Sequence, residues 1–414
     1  MKMAIFGASP SCIAIFTQIF QCCGFCCIST PLSLANCAYI GANCFLLLVA
    51  SVHVALKAAH IFNLSSQFRL FLDILQVYYP IGAYFIAICE SIYKRDRIFK
   101  IWTTFHHINS QLKSIGMTTY EILLEVELKK YLIEGIFINL VALFVEITII
   151  SRLDTTSGFF EHRLAVLIPF NGNRMAIFHF LLYIHITRSY LHILAMQLQR
   201  IHRKIELFPQ PPTKHGDALH GEIKALKVIH RNLWEICCNI NKSFNWTLLC
   251  IIIMYFLIII VDLYWCFLKI LVGSSNHITE SFLCPIPVVL SFIPLVYTAD
   301  SLLNAPRIIQ RNLHELQMEA QNRTLHQFAL QIHILHVEFT PKGIFLLDFK
   351  LFTAVSGSSL FNPFCFFFFH SCSVPCMAIN PSHVSVVGFF FIHSFVYTNS
   401  TYEKLYRFVT YNLE

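Results

Sequence analysis

Apolar positions in this chain fall into long unbroken runs, and nearly all the charge is confined to the segments between them. About twenty residues at 1.5 Å rise cross a hydrocarbon layer of about 30 Å, so runs of this length predict membrane-crossing helices. Six are read at residues 36–56, 74–93, 132–151, 164–186, 246–268 and 282–299, and a seventh begins near Gly343 and runs past Phe364. The fourth is interrupted by Asn171, Asn173 and Arg174, and the fifth carries one charge, Asp262. The sixth contains Pro285, Pro287 and Pro294, which a membrane helix tolerates where neighbours satisfy the freed carbonyls. The expected fold is all-α: a polytopic membrane protein with seven transmembrane helices.

Charge adds a direction. The segments after the second, fourth and sixth runs hold twenty Lys and Arg, and those after the first, third and fifth hold four, with Lys269 given to the edge of the fifth run. Positive residues stay on the cytoplasmic side, so the amino terminus is expected inside and the end of the seventh span outside. G-protein-coupled receptors have the opposite orientation, and here the third span ends at Ile150-Ser151-Arg152 on the expected outer side. The basic segments also contain helical periodicity. Leu191, Leu194, Leu198, Ile201 and Ile205 recur at three- and four-residue steps, as do Leu325, Phe328, Ile332 and Leu335. Both predict amphipathic helices extending below the membrane, whose apolar stripes need a partner, either each other or a second subunit. Pro209-Gln210-Pro211-Pro212 predicts a break between them.

Composition agrees: 56 % of residues are apolar and 13 % charged, against about 25 % charged in soluble domains. A net charge of +7 is modest for a nucleic-acid binder, and none is expected as a partner. The sixteen cysteines are scattered. The cluster Cys22-Cys23-Gly24-Phe25-Cys26-Cys27 lacks a second pair at zinc spacing, which leaves apolar packing or S-palmitoylation as its readings. Twenty histidines show no HExxH spacing; no metal, cofactor or enzymatic role is expected. Residues 1–35 read as a cytoplasmic or interfacial segment, 36–358 as the transmembrane domain and 359–414 as an atypical apolar tail.

Phe339-Thr340-Pro341-Lys342-Gly343-Ile344-Phe345-Leu346-Leu347-Asp348, followed by Val355-Ser356-Gly357, resembles the start of the last span in insect gustatory receptors. The span spacing, the large second and third basic loops and the inside amino terminus are also similar, over roughly residues 36–358. The resemblance implies a ligand-gated, non-selective cation channel in the plasma membrane of sensory neurons. It implies a homo- or hetero-tetramer, embedded in lipid, with a small-molecule tastant bound among the earlier spans. Asp348 then either ties the pore helix to the cytoplasmic anchor or stabilises a helix N-terminus. After Gly357 the chain departs from the family's ending. Ser358-Ser359-Leu360-Phe361-Asn362-Pro363 and the run Phe366–Phe369 stand where a threonine-tyrosine…glutamine-phenylalanine segment is expected. The tail is either a divergent ending with a further apolar segment at about 374–398 or the product of a retained intron or a wrong gene model, since thymine-rich sequence encodes phenylalanine runs.

Ionisable groups inside a membrane are costly and often functional. Glu146, Arg174 and Asp262 fall in the expected outer halves of their spans. With Tyr79, Tyr264 and Trp265 they form either a polar ligand pocket or structural ion pairs with headgroup-level aromatics. Asn63-Leu64-Ser65 is a glycosylation sequon on the expected outer side; those at Asn241, Asn245 and Asn322 fall inside. A transporter and a membrane-embedded enzyme are the competing classes, but no internal repeat and no His or carboxylate cluster supports them. A non-conducting, mis-spliced receptor isoform also fits the tail.

Overall fold

The computed structural model describes residues 10–25, 34–57, 67–117, 120–153, 158–207, 213–272, 283–319, 323–335, 339–344, 346–347 and 350–351. The seventh span beyond Leu351, the tail 359–414, the break Pro209–Pro212, and Asn63, Phe345, Asp348 and Gly357 lie outside the described residues.

The described chain is helical. In order the helices are α1 (Pro10–Cys22), α2 (Leu34–Leu56), α3 (Gln67–Tyr93), α4 (Arg95–Ser114), α5 (Tyr120–Arg152), α6 (Gly158–Leu207), α7 (Thr213–Ser243), α8 (Asn245–Val272), α9 (Ile286–Glu319) and α10 (Arg323–Ile334), followed by a short turn of 3-10 helix at Pro341–Gly343. Five segments among the described residues are long and apolar enough to cross a membrane: 34–56, 120–152, 160–205, 245–265 and 286–316. The second span read from the sequence corresponds to α3, which is not among those five. Gln76, Glu90 and Ser91 dilute its apolar character, and all three are buried against protein.

α6 is the axis of the bundle. Its most apolar window is 72 % buried, against 17 % for α2 and α5, so α6 is surrounded by protein while α2 and α5 turn Phe45, Leu48, Phe137 and Phe144 outward. At 50 residues it is about 75 Å long, more than twice the hydrocarbon thickness, and its second half therefore continues below the membrane. Close approach to α6 depends on small residues. A side chain at Gly172 would overlap the ring of Tyr84 on α3, and one at Gly135 on α5 would overlap Phe178.

Below the membrane, the stripe Leu191, Leu194, Leu198 and Ile201 is fully covered. So are Leu325, Phe328 and Ile332 of α10. The partners are in the same subunit: α6 packs on α9 and α7, and α10 packs on α9 and α7. α4 completes this layer through Ile98, Ile101, Trp102, Phe105, Ile108 and Leu112. Lys100–Glu235 at 2.7 Å and Lys204–Glu222 at 3.0 Å fasten its rim. The segment read as interfacial, 1–35, contains α1, which buries Phe16 and Phe20 against Tyr131 and Phe178.

Candidate functional site

The three ionisable residues singled out in the spans separate into two buried clusters. Arg174 on α6 meets Glu146 on α5 in a two-pronged pair, Nη1–Oε1 2.6 Å and Nη2–Oε2 3.1 Å. Asn171, one turn earlier on α6, accepts from Arg174 at 2.6 Å. Both carboxylate oxygens of Glu146 are thus engaged, and the pair ties α5 to α6 in the geometry that planar guanidinium favours.

Asp262 on α8 has different partners. Its Oδ1 accepts from Arg163 Nη2 at 3.2 Å and from Gln76 Nε2 at 2.9 Å, so α3, α6 and α8 converge on one oxygen. The Oδ2 atom has no hydrogen-bond partner among the described residues, although Asp262 is only 3 % exposed. Arg163 and Arg174 stand eleven residues apart on α6, about 16 Å or three turns along one face. Tyr264 and Trp265 follow on α8 and meet edge to face at 5.5 Å. Tyr79 lies one turn inward of Gln76 on α3 and packs partly against the core.

α3 and α8 run antiparallel, and a second polar contact fixes their register. The Glu90 carboxylate accepts the backbone N–H groups of Trp246 (3.3 Å) and Thr247 (2.7 Å). It caps the first turn of α8 from a neighbouring helix, where an anion is favoured. Between α3, α6 and the start of α8 lies a cavity lined in part by Ser91, His179, Ser243 and Thr247, with about 10 Å³ available to a water-sized sphere. That is room for about one water and too small for an organic ligand.

The motif at the expected start of the last span folds as a tight turn. Phe339 and Leu347 are fully buried, and the Leu347 N–H donates to the Phe339 carbonyl at 2.8 Å. Phe339 packs edge to face on Phe180 of α6 at 5.8 Å. The Thr340 carbonyl accepts from Gly343 at 3.0 Å. Gly343 has φ +70° with open space around its Cα, so backbone conformation, not crowding, calls for glycine there.

A family model described as 7tm Chemosensory receptor matches residues 13–362. The chain belongs to this chemosensory receptor family. A Drosophila melanogaster sequence named as gustatory receptor 28b is 28 % identical over 143 residues, covering 31 % of this receptor and 30 % of the relative. The insect olfactory receptor OR5 from Machilis hrabei has a similar fold, with a TM-score of 0.62 at 10 % identity, over 86 % of this receptor and 97 % of that chain. The same protein in complex with eugenol gives a TM-score of 0.58 at 11 % identity, over 84 % and 95 %. The all-α, multi-span fold read from the sequence is that of this family, which is one of receptors and not of enzymes.

Two buried residues that tie the spans together at these clusters do not stand out in the sequence. The apolar runs leave Arg163 between the third and fourth spans, but α6 begins before it and carries it into the bundle opposite Asp262. Glu90 lay at the inner end of its span, where a charge is unremarkable. In each case the missing signal was the partner, which comes from a helix 99 or 157 residues away in sequence.

Proposed function

We propose that the receptor is a subunit of a ligand-gated, non-selective cation channel that detects small-molecule tastants at the plasma membrane of sensory neurons. Family membership across residues 13–362 is the observation that carries this reading. The gustatory relative supports the sense of taste, and the eugenol complex of the fold neighbour supports small organic ligands. The channel assembles as a homo- or hetero-tetramer in lipid, and no cofactor is required.

Within this reading the ligand meets the Asp262 cluster. Asp262 offers a buried carboxylate oxygen with no donor on it among the described residues; Tyr264 and Trp265 follow it on α8, and Gln76, which donates to it, lies one turn from Tyr79 on α3. Glu146 and Arg174 hold α5 to α6 and shape the site from one side. Voltage clamp of cells expressing the full chain, exposed to sugars, bitter compounds and amines, tests the reading. The expected outcome is a ligand-evoked cation current. Surface-expressed tetramers that instead move substrate without passive current would replace the channel with a transporter.

The departure from the family's ending after Gly357 favours one further reading, a non-conducting isoform. The same recording with the tail after Gly357 exchanged for a family ending separates the two. Current only in the exchanged chain identifies the isoform.

A further inference from the structure

The turn that leads into the last apolar segment is strained and is held on the first turn of α8. Lys342 is the one non-glycine residue with positive φ among the described residues, at +53°. Left-handed backbone is unfavourable for a residue with a Cβ and persists where the surroundings over-determine it. Two contacts do so here. The Lys342 N–H donates to Asn245 Oδ1 at 2.9 Å, and its ammonium group sits 4.1 Å from the centre of the Trp246 ring, within cation–π range. Asn245 and Trp246 are the first two residues of α8, and the N–H of Trp246 is also bound by Glu90. The opening turn of α8 is therefore gripped on one side by α3 and on the other by the strained turn.

The other end of this helix pair lies at the candidate ligand site. Gln76 and Glu90 are fourteen residues apart on α3, and their partners Asp262 and Thr247 are fifteen apart on α8, about 21 Å and about 22 Å of helix. Polar contacts at both ends of two matched lengths prevent the helices from sliding independently. Motion imposed at Asp262 must travel as a shift of the pair, and the inner end of the pair carries Trp246 and Asn245.

We propose that Lys342, Trp246 and Asn245 form a latch. The latch holds the start of the last apolar segment against α8 and opens when the α3–α8 pair shifts. Its strained backbone favours release once the Trp246 ring or the Asn245 carbonyl moves away. The proposal builds on the ligand-gated reading in assigning the cause of the shift, but the latch itself is tested without any current.

The test uses the full chain in lipid nanodiscs with Leu347, which is fully buried in the latched turn, replaced as Leu347→Cys. Maleimide labelling of that residue is followed by peptide mass spectrometry, so other cysteines do not interfere. Trp246→Leu is expected to raise the labelling rate at least threefold, Trp246→Phe to give an intermediate rate, and Lys342→Arg to leave the parent rate. Lys342→Gly removes the cation and the strain together, and is expected to label more slowly than Trp246→Leu. Glu90→Gln weakens the grip of α3 and is expected to raise the rate as well. An unchanged rate in both Trp246 variants overturns the latch. A rate raised by Trp246→Leu but unchanged by Glu90→Gln overturns the coupling to α3. A parent chain without ligand-evoked current counts against the channel reading alone, since the labelling rates read the latch directly.

Discussion

Glu146 and Asp262 are both buried carboxylates paired with arginine, and their surroundings give them different work. Glu146 spends both oxygens on Arg174. Glu146→Gln removes one N–H acceptor and the charge, leaving a buried guanidinium uncompensated. Breaking a buried pair costs about 3–5 kcal/mol, so this variant is expected to lower thermal stability and the amount at the cell surface. Asp262 uses one oxygen for two donors, and the other has no donor among the described residues. Asp262→Asn keeps an acceptor towards Gln76 and Arg163 but places an amide where the second oxygen stood. It also leaves the buried Arg163 guanidinium without its carboxylate, so the surface amount falls as well, and the receptors that reach the surface are expected to show a ligand dose–response shifted about tenfold or more. Surface biotinylation beside dose–response curves separates the two effects. An unshifted Asp262→Asn curve would remove that residue from the ligand site. The residue types were legible in the sequence, because ionisable groups in apolar runs stand out. Their pairing was not, because it depends on helix rotation and on Arg163 lying inside a helix rather than a loop.

The helices below the membrane owe their positions to amphipathic faces that close on each other. α7 buries Ile223, Leu226, Ile229, Leu233, Ile236 and Ile240 at three- and four-residue steps, the spacing of one helical face. His230 sits in this stripe, 2 % exposed, edge to face with Phe328 of α10 at 5.8 Å. Gln331 Nε2 donates to its Nδ1 at 3.2 Å, which requires that nitrogen to be unprotonated. Burial pushes the His230 pKa down from 6.5 to about 4. The folded state thus disfavours the proton that the unfolded chain accepts near 6.5. The contribution of neutral His230 to stability is full above pH 6.5, declines as the pH falls towards 4 and is lost below it. Thermal unfolding from pH 7 to pH 5 should show a falling midpoint, and His230→Gln should flatten that slope. A slope unchanged in His230→Gln would assign it to other groups. The stripes on α6 and α10 were evident from periodicity. Their partner within the same subunit was not, since an apolar face is equally satisfied by any apolar surface of matching shape.

At the scale of the whole molecule, the family match ends at residue 362, close to the point where the last-span motif departs from the family's ending. Sequencing of the mature transcript is expected to show an exon junction near Gly357 that leads into a threonine-tyrosine…glutamine-phenylalanine ending. An abundant transcript encoding Phe366–Phe369 and the residues that follow as written would establish the tail as a genuine divergent terminus. The bundle also draws in its amino-terminal helix. The Tyr84 hydroxyl shares its proton between the Cys23 carbonyl at 2.9 Å and Asn43 Oδ1 at 2.7 Å, linking α3 to α2 and to the chain after α1. Composition alone suggested only an interfacial helix there, because α1 is short and its apolar character is broken by Gln18 and Gln21.

The sequence by itself determined the class of molecule. Span length is set by bilayer thickness and orientation by loop charge, and both are local properties that can be counted along a chain. It also placed the strongest family signal, since the turn at residues 339–344 depends on a glycine at positive φ and on residues adjacent in sequence. The tertiary structure decided which polar groups meet. A buried carboxylate such as Glu90 or Asp262 takes its role from donors on helices far away in sequence. Those donors arrive only when the helices have packed and the low dielectric between them makes an unpaired charge expensive.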